Sequence, residues 1–173
     1  NLVDDKLVNA WCMPGGKIVF YTGILPIAKN EAGIAAIMGH EVAHALANHG
    51  QQRMSAGMIQ QGLGAGVAIA TKDKSDSEQD VWMQAFAVGS SVGGMLPFSR
   101  SHETEADEIG LYLTAIAGYN PDEASLLWER MKANSDGKSS PEFLSTHPSN
   151  DSRISNLKVL AAKAKEEAAR GRL

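Results

Sequence analysis

The chain of 173 residues is 43% apolar and has a formal net charge of -4, so it can bury one hydrophobic core and has the size of a single domain. Its charged residues are scattered along the sequence, and this lack of a basic patch argues against a nucleic-acid partner. The single cysteine, Cys12, excludes an internal disulfide bond. The sequence begins at Asn1 with neither an initiator methionine nor a leader, which favours a chain whose N-terminal part has been trimmed.

Residues 8–25 contain two β-prone runs around the Pro-Gly-Gly sequence at 14–16, which predicts a β-hairpin in a small sheet. Asn30 can cap the helix that follows, because asparagine accepts hydrogen bonds from the first helical turn. Apolar residues then recur at helical spacing, and Gly50 is expected to end this helix. The helix therefore contains the sequence His-Glu-x-x-His at 40–44.

Two apolar segments rich in small residues follow at 56–70 and 81–96, separated by the charged loop 71–80. They predict a close-packed helical hairpin. Neither segment reaches the 18 to 20 uninterrupted apolar residues of a membrane span. Burial in the core is therefore favoured, and a mobile or membrane-facing flap is the alternative.

The rest of the chain predicts three more helices. They run from Ser99 or Ser101 to Gly118, from Pro121 to about Asn134, and from about Asp151 to Arg170. In the first of these, the spacing places Ile109, Leu113 and Ile116 on one face. Residues 136–150 are expected to form a polar loop. The predicted fold class is mainly α with a small β-hairpin or sheet.

Histidines four residues apart on a helix lie about 40° apart around its axis, so His40 and His44 can contact one metal ion. Glu41 lies about 100° from His40, where its carboxylate can take a proton from a metal-bound water. The alternative is a helix that carries two histidines without a metal. His49 is interpreted as a histidine at the helix end, favoured by the C-terminal dipole, rather than as a ligand.

A catalytic zinc site typically has three protein ligands and a water. Glu103 and Asp107 are also four residues apart in a predicted helix, so one carboxylate can bind the ion while the other orients an imidazole by accepting its second N–H. A solvated acidic face is the alternative. Glu105 lies off this face and is expected to be exposed.

These residues resemble the gluzincin zinc metallopeptidases of the HtpX, BepA and LoiP type. That family includes the CAAX prenyl endopeptidase and the mitochondrial inner-membrane stress protease. The resemblance covers nearly the whole chain, in the segments NAWCMPGGKIVFYTGIL, GHEVAHALANHG, PFSRSHETEADEIGL, AGYNP and FLSTHPSNDSRISNL. One departure is His102-Glu103-Thr104, where HtpX-like members usually have Arg-Glu-Tyr. It leaves the zinc chemistry intact but puts any role of that tyrosine in doubt.

The resemblance implies a zincin-like metallopeptidase domain over 1–173 with one Zn²⁺ per chain. His40, His44 and Glu103 would be the zinc ligands, and Glu41 would be the general base. Asp107 would orient a histidine ligand by accepting the second N–H of its ring. The resemblance also implies a bacterial periplasm or cell-envelope location, in a membrane-proximal setting.

Three residues are candidate donors to the oxyanion: His147, Arg153 and Tyr112. Ordinary structural roles are the alternatives for each of them. His147 is also a candidate fourth zinc ligand, because a loop that folds over the cleft could bring its imidazole to the ion and keep the enzyme latent.

The resulting function is a zinc-dependent endopeptidase that cleaves unfolded or mislocalised polypeptides in envelope protein quality control. An extended substrate is expected to add to the edge of the 8–25 hairpin. The alternative function is a chaperone-like binding module with a latent zinc site.

Overall fold

The computed structural model describes residues 1–13, 15–135, 142–148 and 150–171. It confirms the mainly helical fold with a small sheet. The strands are β1 Leu2–Val3, β2 Ala10–Met13 and β3 Lys17–Tyr21, and the helices are α1 Leu25–Ala28, α2 Glu31–Leu46, α3 His49–Ala70, α4 Asp76–Ser90, α5 Leu96–Ile116, α6 Asp122–Ser135, α7 Glu142–Thr146 and α8 Asp151–Ala169. A 3₁₀ turn at Thr22–Ile24 precedes α1, and a π-helical turn at Ser91–Met95 precedes α5.

The chain divides into two compact units. The first unit comprises Asn1–Ala47 and Glu103–Leu173, and the second, the hairpin unit, comprises Asn48–His102. The expectation of one catalytic domain over 1–173 stays a prediction.

The predicted β-hairpin is confirmed, and it lies in a sheet with the strand order β1-β3-β2. Strand β2 pairs antiparallel with β3, and β1 pairs parallel with β3. The turn residues Gly15 and Gly16 have φ angles of 90° and 78°, which glycine adopts at little cost. Pro14 of the predicted turn lies outside the described residues. Strand β2 is an edge strand, since its described partner is β3 alone.

Helix α2 begins as predicted and ends earlier than predicted. The Asn30 side chain accepts a hydrogen bond of 2.8 Å from the Gly33 N–H. The helix ends at Leu46 instead of Gly50, because Asn48 adopts a left-handed conformation with φ of 57°, which asparagine tolerates better than most residues. The interpretation of His49 as a helix-end histidine is therefore wrong, because His49 is the first residue of α3.

Helices α2 and α5 approach each other closely at two glycines. A Cβ atom on Gly39 would lie 2.6 Å from the Gly110 carbonyl oxygen, and a Cβ on Gly110 would lie 2.8 Å from the His40 nitrogen. Because neither glycine carries a side chain, the two backbones can come together at this point. This crossing sets the face of α5 that packs against α2.

Helix α5 differs from its prediction in its start and in its buried face. It begins at Leu96, directly after the π-helical turn, with Pro97 as its second residue. The predicted apolar face is wrong, since Ile116 is 59% exposed. The buried face contains Glu103, Ala106, Asp107, Gly110, Leu111 and Thr114, because the close approach at Gly110 turns these residues inward.

The core of the first unit lies among α2, α5, α6 and α8. Its largest buried side chains include Trp128, Met131, Phe143 and Leu157. Helix α8 buries Ile154, Leu157, Ala161 and Ala164, and its Leu160 is partly buried. The polar loop predicted for 136–150 instead contains the short helix α7, whose Phe143 is buried in the core; residues 136–141 and 149 lie outside the described part of the chain.

In the hairpin unit, the predicted helical hairpin is confirmed but its burial is wrong. Gly64 of α3 packs against Phe86 of α4, and Gln60 donates a hydrogen bond of 2.8 Å to Ser90. Most of the large apolar side chains of α3 and α4 are nevertheless exposed. They are Met54, Met58, Ile59, Leu63, Ile69, Val81, Trp82, Met83 and Val88. None of the described helices is long and apolar enough to cross a membrane.

Candidate metal centre and active site

Four side chains from three parts of the first unit converge on one point. Helix α2 supplies His40 and His44, α5 supplies Glu103, and the residue after α7 is His147. One potential ligand atom of each lies within 4.8 Å of those of the others. The structure thus brings together the three predicted zinc ligands and the predicted fourth ligand.

The distances between these atoms suit a tetrahedral metal ion. His40 Nε2 lies 3.1 Å from His44 Nε2, 3.2 Å from His147 Nδ1 and 3.3 Å from Glu103 Oε2. His147 Nδ1 lies 3.0 Å from Glu103 Oε2, and His44 Nε2 lies 3.4 Å from Glu103 Oε1. Atoms bound to zinc at 2.0 to 2.2 Å in a tetrahedron are about 3.3 to 3.6 Å apart, so two of these five separations lie in that range and three are slightly shorter. Imidazole and carboxylate donors at these spacings fit Zn²⁺.

Glu41 is buried beside the cluster without being part of it. Its Oε1 lies 3.4 Å from His147 Nε2, yet this buried oxygen has no hydrogen-bond partner among the described residues. Burial raises the pKa of Glu41, against the opposing effect of His147 and His40. A carboxylate with a raised pKa next to a metal centre is suited to accept a proton.

Asp107 and Arg153 contact the side chains of the cluster without belonging to the four possible ligands. Asp107 Oδ1 lies 3.0 Å from His40 Nδ1, so the carboxylate faces the ring nitrogen that points away from the other ligands. Arg153 donates two hydrogen bonds of 2.8 Å to Asp107 and lies 3.0 Å from Glu103 Oε2. Its third nitrogen donates to the Pro148 carbonyl at 2.8 Å. Arg153 therefore links both carboxylates to the segment that carries His147.

The charges within the cluster favour a bound cation. Burial alone lowers the pKa of His40, but Asp107 and Glu103 raise it to about 9. Burial raises the pKa of Glu103, and the stronger effect of His147 and His40 lowers it overall. The carboxylates thus hold a proton on His40, and a metal ion would compete for the same position.

The remaining predicted residues lie in other surroundings. Tyr112 packs at the edge of the core, with Lys163 Nζ 5.8 Å from the centre of its ring, and no described contact joins it to the cluster. Glu105 is exposed, as predicted. Sequence reasoning did not identify Trp128, whose ring stacks under the Arg153 guanidinium at 4.0 Å. A tryptophan on the apolar face of α6 was the available signal.

Comparisons with known proteins agree with this geometry. Residues 1–161 match the sequence profile of Peptidase family M48. The mitochondrial metalloendopeptidase OMA1 of Saccharomyces cerevisiae is 37% identical over 91% of this chain and 45% of its own length. Human mitochondrial metalloendopeptidase OMA1 is 30% identical over 95% of this chain and 32% of its own. The beta-barrel assembly-enhancing protease of Escherichia coli is 26% identical over 91% of this chain and 33% of its own. The chain thus spans less than half the length of these relatives.

Proposed function

The chain belongs to peptidase family M48, and we propose that it is a zinc metalloendopeptidase with one Zn²⁺ per chain. The observation that carries the proposal is the convergence of His40, His44 and Glu103 with Glu41 beside them. Zinc in such a site supplies a Lewis acid that polarises a carbonyl and acidifies a water molecule. Glu41 accepts the proton of the attacking water and returns it to the leaving amine.

The other residues keep this arrangement in place. Asp107 faces His40 Nδ1 and holds the ring so that Nε2 points to the cluster. Arg153 is occupied by Asp107, Glu103 and the Pro148 carbonyl, which supports a positioning role more than the predicted role as oxyanion donor. Tyr112 has no described contact that supports an oxyanion role.

We propose a polypeptide substrate that binds in an extended conformation along β2. Cys12 of this edge strand and Glu41 are neighbours, since the charge of Glu41 acts on the Cys12 thiol and the Cys12 backbone acts on the Glu41 carboxylate. An extended peptide that pairs with β2 would place its backbone next to Glu41. A folded segment cannot supply such a strand, which favours unfolded or mislocalised proteins as substrates in protein quality control.

A test of this proposal is cleavage of casein, an unfolded protein, by the purified chain. We expect cleavage that stops on addition of a zinc chelator and returns with added zinc. The Glu41→Gln variant is the matched control, since it keeps every ligand. Cleavage that persists in this variant or in the chelator would contradict the proposal.

We further propose that His147 is a fourth ligand that keeps the zinc site latent. Its Nδ1 lies 3.0 Å from Glu103 Oε2 and 3.2 Å from His40 Nε2, which makes a closed set of four protein ligands of the kind found in structural sites. Substrate or a partner would have to move the segment around His147 before hydrolysis. The same closed set supports the alternative function, a chaperone-like module that binds unfolded chains without cutting them.

Replacement of His147 distinguishes these roles. His147→Ala should raise the basal peptidase rate severalfold if the ring closes the site, and lower it if the ring binds the oxyanion. A variant that binds casein and zinc but cuts no faster than Glu41→Gln would support the chaperone-like module.

The relatives bear on the proposed location. Those at 30% identity or more shown above carry mitochondrial names, and this favours a mitochondrial location over the bacterial periplasm or cell envelope expected from the sequence. The envelope expectation came from the family resemblance, and the bacterial relative reported above is less similar, at 26% identity. A membrane-proximal setting is supported by the exposed apolar side chains of the hairpin unit, and flotation with lipid vesicles would test it.

A further inference from the structure

Trp128 is a large buried side chain that has no role in the proposed chemistry. It lies on α6 and is 3% exposed. Its ring centre lies 5.5 Å from that of Phe143 in α7 and 6.3 Å from that of His40 in α2. Close packing on these sides holds the indole ring in one orientation. The ring therefore presents a fixed flat face inside the first unit.

The Arg153 guanidinium lies over this face. Its central carbon is 4.0 Å from the centre of the Trp128 ring, a distance at which the negative face of an indole attracts a cation. The Arg153 side chain is only 9% exposed. Water therefore has little access to the charge, and the attraction between cation and ring is stronger at such a site than at an exposed one.

Arg153 contacts three acceptor groups at once, which requires a fixed orientation of its plane. Nε and Nη2 donate to the two oxygens of Asp107, Nη1 donates to the Pro148 carbonyl, and Nη2 also lies 3.0 Å from Glu103 Oε2. The donors of a guanidinium all lie in its plane. A ring packed against the face of that plane leaves the donors free and opposes rotation of the group.

Both carboxylates that contact Arg153 act at the proposed metal centre. Glu103 is a proposed ligand, and Asp107 Oδ1 lies 3.0 Å from His40 Nδ1. Groups that contact metal ligands fix the orientation of those ligands and tune metal affinity. If Arg153 changed its orientation, two buried carboxylates would lose donors, and the ligand atoms would be held less tightly.

We propose that Trp128 is a positioning residue, whose ring face holds Arg153 in the orientation that fixes Asp107 and Glu103 for zinc binding. The inference rests on the proposed zinc site and adds to it a residue from a helix that supplies no ligand. An aliphatic side chain at this position would fill the core but would offer no ring face to a cation. Substitutions can therefore separate the effect of the ring from the effect of its volume.

The test compares Trp128→Leu, which removes the ring face, with Trp128→Phe, which keeps one. Zinc affinity is measured by competition with a chromophoric chelator. Trp128→Leu should lower the affinity by about three- to tenfold, less than the 10- to 100-fold caused by loss of a group that contacts a ligand directly. Trp128→Phe should stay within about twofold of the parent chain, because phenylalanine also attracts a cation.

Met131→Ala is the matched control, because Met131 is a fully buried residue of the same helix and none of the described contacts joins it to Arg153. It should lower the midpoint of urea unfolding, as Trp128→Leu does, and leave zinc affinity unchanged. An effect of Trp128 through core packing alone would give the two variants the same zinc affinity.

A double-mutant cycle with Arg153→Lys tests whether the effect passes through Arg153. Lysine keeps the charge but has no planar group to stack on the ring. Trp128→Leu should therefore change zinc affinity by less than about twofold in the Arg153→Lys background. A direct effect of Trp128 on His40 would persist in that background.

Nuclear magnetic resonance of the zinc-free protein follows Arg153 itself. The Nε–H signal that disappears in Arg153→Lys identifies this side chain. In Trp128→Leu the signal should shift, because the ring current of the indole is lost, and its hydrogen should exchange faster with water. Neither this measurement nor zinc affinity depends on peptidase activity.

The outcomes separate the positioning role from the proposed function. If the parent chain binds no zinc, the zinc site fails and the positioning role fails with it. If the parent binds zinc but Trp128→Leu leaves the zinc affinity and the Arg153 signal unchanged, the positioning role alone is overturned. It is also overturned if Met131→Ala lowers zinc affinity as much, or if Trp128→Leu has its full effect in the Arg153→Lys background.

Discussion

The five histidines of this molecule form two groups that differ in their surroundings. His40, His44 and His147 direct ring nitrogens at one another and at Glu103, at distances of 3.0 to 3.4 Å. In the hairpin unit, His49 and His102 stack face to face with ring centres 4.1 Å apart.

Phe98 lies against the second group, at 4.0 Å from His102, and Gln52 lies 3.1 Å from His102 Nε2. Among the described residues, His40, His44 and His147 belong with Glu103 to a group of ligand atoms that could hold a metal ion, and His49 and His102 lie outside it. The comparison supports a metal site that needs several donor atoms converging on one point, which two stacked imidazole rings do not provide.

The largest expected difference between the two groups is in zinc binding. His44→Ala should reduce bound zinc from one per chain to near zero and abolish peptidase activity, because it removes a ligand. His49→Ala, the same substitution five residues further on, should keep one zinc per chain. Elemental analysis of both proteins, purified without chelator, measures this. Loss of zinc in both variants to the same degree would break the distinction between the groups.

The next largest effect is on the cleavage rate, and it distinguishes the proposed base, Glu41, from the proposed ligands. Glu41→Gln should keep one zinc per chain and the folded structure, while the rate of peptide cleavage falls by about 10²- to 10⁴-fold. The reason is that Glu41 faces the cluster from outside the set of ligand atoms. Zinc content and casein cleavage are measured on the same preparation. A zinc-free variant would mean that Glu41 is a ligand.

A smaller effect is expected at Asp107, which faces a proposed ligand and is not itself in the set of ligands. Asp107→Asn removes the charge that faces His40 Nδ1, and zinc affinity should fall by about 10- to 100-fold. Competition with a chromophoric chelator measures this affinity. Asp122→Asn is the control, since Asp122 pairs with Lys165 at an exposed position. Equal affinity in the two variants would show that Asp107 does not support the metal site.

The sequence predicted which side chains converge better than it predicted the boundaries of the elements that carry them. His40, His44, Glu103 and Asp107 were identified because helical spacing is local and fixes which side chains share a face. The predicted end of α2 was wrong, because the left-handed conformation of Asn48 interrupts a sequence whose apolar spacing otherwise continues as a helix.

Tertiary contacts account for the other differences. The apolar content of 56–70 and 81–96 indicated burial, yet composition does not reveal how much of a helix its neighbours cover, and here most of the large apolar side chains are exposed. The face of α5 was set by the approach of Gly110 to Gly39, and the network of Arg153 joins residues more than forty positions apart. Neither feature has a local sequence pattern.

The smallest effects are expected on stability, from substitution of two helical glycines, one in each unit. A Cβ on Gly39 would lie 2.6 Å from the Gly110 carbonyl oxygen, whereas Gly62 in α3 has nothing within 4 Å. Gly39→Ala should therefore destabilise the first unit by about 1 to 3 kcal/mol through overpacking. Gly62→Ala should stabilise its helix by about 0.5 to 1 kcal/mol, because alanine loses less backbone entropy than glycine on folding.

Amide hydrogen exchange followed on peptides from 31–46 and 49–70 measures each helix separately. The first set should exchange faster in Gly39→Ala, and the second should exchange more slowly in Gly62→Ala. Zinc affinity should also fall in Gly39→Ala, since α2 would have to shift away from α5 and take His40 away from Glu103. Unchanged exchange in 31–46 would show that the close approach of the two helices does not hold the ligands together.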